Sequence, residues 1–308
     1  MTNNTNTYHI PVMLHECIEG LSIHPDGTYV DVTFGGGGHS REIFSKLSSK
    51  GKLIVFDQDP DAAKNAWEAP NFFFVAANFA FLKNHLRALG ITKVDGILAD
   101  LGVSSHQFDD GKRGFSIRAD EKLDMRMNQF GEVTAQTIVN TYDEEQLASI
   151  FRKYGELDHP YKTAVELVKA RSSKKIKTTK ELMDALVSVA PKFKDHKFFA
   201  QVFQAIRIEV NKEMEVLEKF LMQTAEVLAP EGRLVVMSYH SLEDRLVKNW
   251  MKRGNMDGSI EKDFFGNILK PFEEINRKPI LPKESEIERN TRARSAKLRI
   301  AKRLNDGK

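Results

Sequence analysis

A single cysteine, Cys17, stands in 308 residues, so the chain can form neither an internal disulfide nor a cysteine-rich zinc site. Redox chemistry is not expected. No uninterrupted apolar run approaches the roughly 20 residues that span a bilayer, which argues against a membrane partner. The opening "MTNNTNTYHIP" has neither the basic nor the apolar portion of a signal peptide, and the cytoplasm is the expected address. Nine histidines occur without an H-E-x-x-H or paired Cys/His spacing, so no catalytic metal is expected. Internal repeats and low-complexity tracts are missing too. Charge of one sign is nearly balanced, at a net +3, but unevenly placed. "ARSSKKIKTTK" (170–180) is locally basic, and "RNTRARSAKLRIAKR" (289–303) holds seven basic residues and no acid. Such runs are ordinary solvated surface unless a phosphate backbone is their partner.

What is present is an alternation of apolar runs and amphipathic stretches over the first hundred residues, the pattern of βαβ units around a parallel sheet. Strands are expected at 28–34, 52–57, 71–77 and 94–101. "SREIFSKLS", "PDAAKNAWE" and "FLKNHLRALG" supply the crossovers between them. After residue 104 the strands stop and helical periodicity takes over. "DEEQLASIFRKYG" is expected to be capped by Asp143, and "TTKELMDALVSVAP" to carry a Thr178/Glu181 capping box. A periodic segment at 198–230 then leads to a strand at 233–239 and a helix, "SLEDRLVKNWMKRG", with Ser241 as its cap. Residues 255–287 read as loops with one short strand. "RSAKLRIAKR" reads as a final edge strand. The expected fold is therefore α/β with an inserted all-helical domain: residues 1–104 and 201–308 form the α/β part, and 105–200 the insert.

Within the first βα turn, "DVTFGGGGHS" (31–40) places bare backbone where an open α/β sheet binds its ligand. A P-loop needs Gly-Lys-Ser/Thr, and here His39 and Ser40 follow the glycines, so nucleoside triphosphate binding is excluded. The dinucleotide fingerprint is met only in part, by Gly35 and Gly37, with Ser40 at its third glycine. Asp31, Asp57 and Asp100 fall at or near the ends of the first, second and fourth strands, so three carboxylates are expected at one crevice mouth. They would repel a pyrophosphate and suit the sulfonium and ammonium of S-adenosylmethionine. Asp57, 20 residues after Gly37, has the spacing of an acid that accepts hydrogen bonds from ribose hydroxyls. Phe79 is a candidate to pack on an adenine or, equally well, a core residue. An NAD-dependent dehydrogenase and a non-catalytic RNA-binding module stay open as alternatives on these residues alone.

The blocks "HIPVMLHE", "DVTFGGGGHS", "DQDPDA", "DLGVSSHQFDDGKRGFSIR", "LDMRM", "FQAIRIEVNKE", "EGRLVVMSYHSLEDRLVK" and "NTRARSAKLR" run in order from residue 9 to residue 299. With them the chain resembles the bacterial 16S rRNA cytosine-N4 methyltransferases, the RsmH or MraW family. The resemblance implies a class I (Rossmann-like) S-adenosylmethionine-dependent methyltransferase fold whose inserted helical domain helps recognise RNA. It implies methyl transfer to the exocyclic N4 of a cytosine in the decoding (P-site) region of 16S rRNA, within the 30S subunit, and leaves a homodimer open. Carried over by motif, the cofactor residues are Gly37, Gly38, His39, Asp57, Phe79, Asp100 and Gln107. Two stretches depart from the family: "DHKFFAQV" stands where relatives carry an "HPATR"-like sequence, and "RADEKLDMRM" where they carry "RDGPLDMRM".

A cytosine amine is a poor nucleophile because its lone pair is delocalised into the ring, so the site needs an acceptor that localises it. Asp100 and the "DLGVSS" backbone stand where other amino-methyltransferases keep their acidic motif, and Asp100 could serve catalysis or only the cofactor. Tyr239 and His240 are candidates to stack on or hydrogen-bond an extruded base. Lys112, Arg113, Phe115 and Arg118 combine cation and aromatic in the manner of an RNA-facing loop, and Arg292, Arg294 and Lys297 lie in the second basic segment.

Overall fold

The structure, a computed structural model, describes residues 11–103 and 113–305. Its strands are β1 (Thr28–Asp31), β2 (Lys52–Phe56), β3 (Phe72–Val75), β4 (Val94–Asp100), β5 (Leu228–Ser238), β6 (Phe272–Glu274) and β7 (Lys297–Arg303). Its helices are α1 (Leu14–Leu21), α2 (Gly38–Ser45), α3 (Leu82–Ala88), α4 (Ala135–Thr141), α5 (Glu144–Lys153), α6 (Pro160–Ser173), α7 (Thr179–Leu186), α8 (Asp195–Asn211), α9 (Glu213–Val227), α10 (Ser241–Arg253) and α11 (Glu284–Arg289). The chain divides into two compact units, one built from the segments before residue 103 and after residue 213, the other spanning Val103–Glu213.

The first unit is a seven-stranded sheet in the order β3-β2-β1-β4-β5-β7-β6. Strands β1 to β5 run parallel, and β7 runs antiparallel to both β5 and β6. Strands covered on both faces need apolar side chains on both, which is why "LIVF" in β2 is buried without a break. Alternate residues then feed separate cores. Ile54, Phe56, Ile97 and Val236 pack with Leu86 and Leu221 on one face. Leu53, Val55, Leu98 and Val235 pack with Cys17, Leu21 and Ile43 on the other. Because β2–β3 and β4–β5 extend in opposite directions from β1, the strand order reverses beside β1, and the C-terminal ends of β1 and β4 open a crevice there.

Several expectations are corrected. The segment "PDAAKNAWE" makes only a 3-10 turn at Ala62–Asn65, which ends where Ala66 turns extended. The periodic stretch 198–230 is two helices, α8 and α9, broken at Lys212, whose φ of 51° is left-handed. The cap of α10 is His240, one residue before Ser241: its ring accepts from the Glu243 amide, and the Glu243 carboxylate accepts from the His240 amide. The Thr178 cap of α7 forms, but Glu181 turns to the Lys177 amide and Lys174 instead of closing the box. Finally, β7 is interior and β6 is the edge. Its polar–apolar alternation misleads because Arg299 is buried, its Nε donating to Asp244 Oδ1 at 2.7 Å.

The second unit is helical and has its own core, in which Leu123, Met125, Ile138, Leu147, Phe151, Leu167, Leu182, Phe198 and Val202 meet. The expected return at residue 200 falls inside α8, whose Phe203 and Ile206 still belong to this core, so the break lies at 213. Phe151 is fully buried. Phe151→Ala should destabilise this unit by about 3–5 kcal/mol through the cavity it leaves. Urea unfolding followed by circular dichroism measures that loss, and a loss below about 1 kcal/mol would mean that the core collapses around the gap.

Candidate active site

The turn after β1 is shaped by its glycines. Gly35 and Gly37 have φ of 50° and 75°, a region that costs any L side chain roughly 1–2 kcal/mol. A Cβ on Gly37 would also stand 3.0 Å from the Phe34 ring, and one on Gly38 2.4 Å from Pro11 Cγ. Gly37 caps α2, so the first amides of that helix, from Gly38 onward, point out of its end without intrahelical acceptors. Asn65 Nδ2 donates to the Gly35 carbonyl at 2.9 Å and holds the turn from its outer side.

Three acids lie near this turn, but they do not all face the crevice. Asp31 is buried: Ser40 Oγ donates to its Oδ2 at 2.6 Å and the Thr33 amide to its Oδ1 at 3.0 Å. It fastens α2 to β1, which corrects the expectation of three carboxylates at the mouth. Asp57, just past β2, accepts from the Gly35 amide through Oδ2 and from the Asp59 amide through Oδ1, both at 2.8 Å. Burial pushes its pKa up to about 6 against those hydrogen bonds. Asp100 ends β4. Its amide donates to Thr33 Oγ1 at 2.7 Å, its Oδ1 accepts from the Tyr239 hydroxyl at 2.7 Å, and its Oδ2 lies 3.8 Å from His39 Nδ1. Burial raises its pKa to about 6 as well, opposed by His39 and the Tyr239 hydrogen bond.

The His39 ring is buried and bridges two elements. Its Nε2 is 3.0 Å from the Val12 carbonyl and so carries the hydrogen, which leaves the Nδ1 lone pair towards Asp100. The ring therefore serves inside the fold, and what His39 offers outward is its backbone in the first turn of α2. Tyr239 follows β5; burial and the neighbouring Asp100 carboxylate hold its hydroxyl well above the usual range. Its ring lies against Gly102, whose φ is 107° and whose hypothetical Cβ would sit 3.2 Å from Tyr239 Cδ2. His240, expected to meet a base, is instead the α10 cap, with Nε2 3.1 Å from Glu243 Oε1. Phe79 opens a 3-10 turn capped by Asn78 and meets Phe220 edge-on, centroids 5.2 Å apart. Asn78 Nδ2 also donates to Gln58 Oε1 at 2.8 Å, tying the loop after β3 to the residue next to Asp57.

The remaining candidates scatter. Gln107 and Lys112 lie outside the described residues. Arg113 and Phe115 are only 7% and 6% exposed, not on an RNA-facing surface. The Arg113 guanidinium donates to the Arg126 and Met127 carbonyls and lies over the Phe115 ring. Arg118 and Arg294 are exposed and Arg292 is half-buried. Lys297 lies 3.6 Å from Asp244 Oδ2. Thr33 went unnoticed in the sequence, although it joins the Asp100 amide to the turn; the "DVT" triplet was the only signal it gave.

The sheet order with its antiparallel β7, the glycine turn that opens α2 and the buried acids after β2 and β4 define a class I S-adenosylmethionine-dependent methyltransferase. Among the described residues, no helix is long and apolar enough to cross a membrane. The chain belongs to the MraW methylase family, whose model matches residues 6–304. It is 56% identical over 303 residues to a protein of Bacteroides thetaiotaomicron named ribosomal RNA small subunit methyltransferase H, covering 98% of this chain and all of that one. A protein of the same name from Parabacteroides distasonis is 56% identical over 305 residues, covering 99% and 100%. Among solved structures, an rRNA methylase from Streptococcus thermophilus aligns over 96% of this chain and 99% of its own at a TM-score of 0.43 and 11% identity.

Proposed function

We propose that this chain transfers a methyl group from S-adenosylmethionine to the exocyclic N4 of a cytosine in the decoding (P-site) region of 16S rRNA, with the 30S subunit as substrate. The observation that carries the reading is the full-length identity with relatives named for methylating small-subunit ribosomal RNA. The Asp100–Tyr239 pair supplies the chemistry.

The residues present fit the cofactor. A turn with two left-handed glycines and a helix end bearing outward amides suits a carboxylate, which Gly37, Gly38 and His39 would meet with backbone. Asp57 keeps lone pairs beyond those given to Gly35 and Asp59 and would accept from ribose hydroxyls. Phe79, with Gln107, would flank the adenine. When bound, S-adenosylmethionine supplies an electrophilic methyl on a sulfonium.

On the acceptor side, the Tyr239 hydroxyl fixes Asp100 Oδ1 and thereby aims Oδ2. Oδ2 would accept a hydrogen bond from the N4 amine, localise its lone pair, and take the proton released as nitrogen gains its methyl. A carboxyl with a pKa near 6 is ionised at neutral pH yet more basic than an ordinary aspartate, which suits both duties. Exposed Arg118 and Arg294, with Lys297, would contact phosphates. The direct test is to digest 16S rRNA from cells lacking this protein and from their parent, and to compare N4-methylcytidine by mass spectrometry. The modified nucleoside should vanish in the mutant; equal amounts would refute the proposal.

A further inference from the structure

The helical unit turns one aromatic side chain wholly into solvent. Between α7 and α8, "PKFKDHK" (191–197) is exposed along its whole length, and Phe193 at its centre is 100% exposed. Two other phenylalanines follow within six residues, Phe198 and Phe199, and both are buried in the core of this unit, 5.3 Å apart. The unit therefore buries neighbouring aromatics and leaves this one out. Its backbone is also unusual. Phe193 has φ 66°, a left-handed conformation rare for a bulky aromatic residue, within a turn closed by the Lys194 amide donating to the Pro191 carbonyl at 3.1 Å. An exposed ring on a strained backbone stabilises nothing within the chain, so its use is external.

The neighbours say what kind of partner it suits. Lys192 and Lys194 flank Phe193 directly, and His196 and Lys197 follow, against Asp195 alone. Cations on both sides of a protruding ring match a strand with phosphates on both sides of each base: the ring stacks on an unpaired base and the ammonium groups meet the adjoining phosphates. A membrane surface is the weaker fit, because interfacial binding needs a broad apolar face, and apart from Val187 at the end of α7 this loop offers a single ring. We infer that Phe193, between Lys192 and Lys194, is an RNA-stacking finger of the helical unit that grips an unpaired nucleotide of the substrate. The inference rests on the proposed rRNA substrate and adds the residue by which the insert holds it. It also places the contact in the stretch where this chain departs from the family pattern.

The test uses full-length protein and 30S subunits. Phe193→Trp should fold as the parent does and show indole quenching on titration with a 16S rRNA fragment, measured against a parent background from Trp67 and Trp250. Phe193→Ala should raise KM for 30S subunits about 10-fold with kcat held, as expected for loss of one stacked base. Lys192→Ala with Lys194→Ala should lower the salt slope of RNA binding by about two. Unquenched fluorescence in Phe193→Trp, or quenching by phosphatidylserine vesicles and not by RNA, overturns the inference whether or not the parent methylates. A parent that binds RNA and quenches as expected but transfers no methyl group overturns the proposed reaction instead.

Discussion

Asp100→Asn is expected to lower kcat about 100- to 1000-fold at saturating S-adenosylmethionine, while the protein stays folded. The size follows from what a positioned proton acceptor contributes, about 10²–10⁴ in rate. Asparagine preserves the local bonds. Its carbonyl can accept from the Tyr239 hydroxyl as Oδ1 does, and its amide can donate towards His39 Nδ1, whose lone pair now faces Oδ2 at 3.8 Å. What it cannot do is accept a hydrogen bond or a proton from the cytosine amine.

Stability moves in the opposite direction to activity. Burial holds the folded pKa of Asp100, about 6, above the ordinary 3.8. Its contribution to stability is thus fully present below about 3.8 and lost as pH rises through 6. At pH 7.5 the buried charge costs free energy, and Asp100→Asn should melt no lower than the parent. In the parent, kcat should fall as pH drops through about 6 and Asp100 is protonated; in the variant that limb should disappear. Asp57 titrates in the same range but would act on cofactor affinity, so saturating cofactor separates the two. Unchanged kcat in Asp100→Asn would reduce Asp100 to a cofactor residue.

Gly37→Ala should weaken S-adenosylmethionine binding about 100-fold and destabilise the fold by about 2 kcal/mol. The left-handed φ of 75° accounts for part of the cost, and the approach to the Phe34 ring for the rest. That ring cannot retreat easily. Phe72 and Phe74 pack against it, as does Trp67, which itself stacks on Phe72 at 4.0 Å under the Arg41 guanidinium. The turn must shift instead, carrying the α2 amides away from the ligand. Gly36→Ala is the control, because a Cβ there meets nothing within 4 Å and its melting point should not change. Isothermal calorimetry with the cofactor and thermal melts check both variants; parent-like affinity in Gly37→Ala would show that the turn can rebuild.

The parallel half of the sheet was legible because strands covered on both faces read as continuous apolar runs, as "KLIVF" and "FFFV" do. The glycine turn and Asp57 were legible because a short loop fixes its own chemistry. The Asp100–Tyr239 bond was not, since its partners are 139 residues apart and meet only through the β4–β5 register that pairs Asp100 with Met237. Nor was the fate of Arg113, whose acceptors are backbone carbonyls that no side-chain pattern advertises. His240 escaped notice as a cap because histidine is not among the usual capping residues. The helix α1 escaped too: it is a single eight-residue segment that precedes the first strand, where only Cys17, Ile18 and Leu21 mark a buried stripe.

The interior placement of β7 has a consequence for biosynthesis. Strand β5 leaves the ribosome with its second flank bare, and the segment that will cover it begins roughly 60 residues downstream. At the usual pace of translation that gap lasts on the order of several seconds, during which a hydrophobic strand edge can pair with other nascent chains. Asp244 waits through the same interval for Arg299. The half-made enzyme is thus a natural client for chaperones that act at the tunnel exit, and its yield in cells should depend on them more than its final stability would suggest.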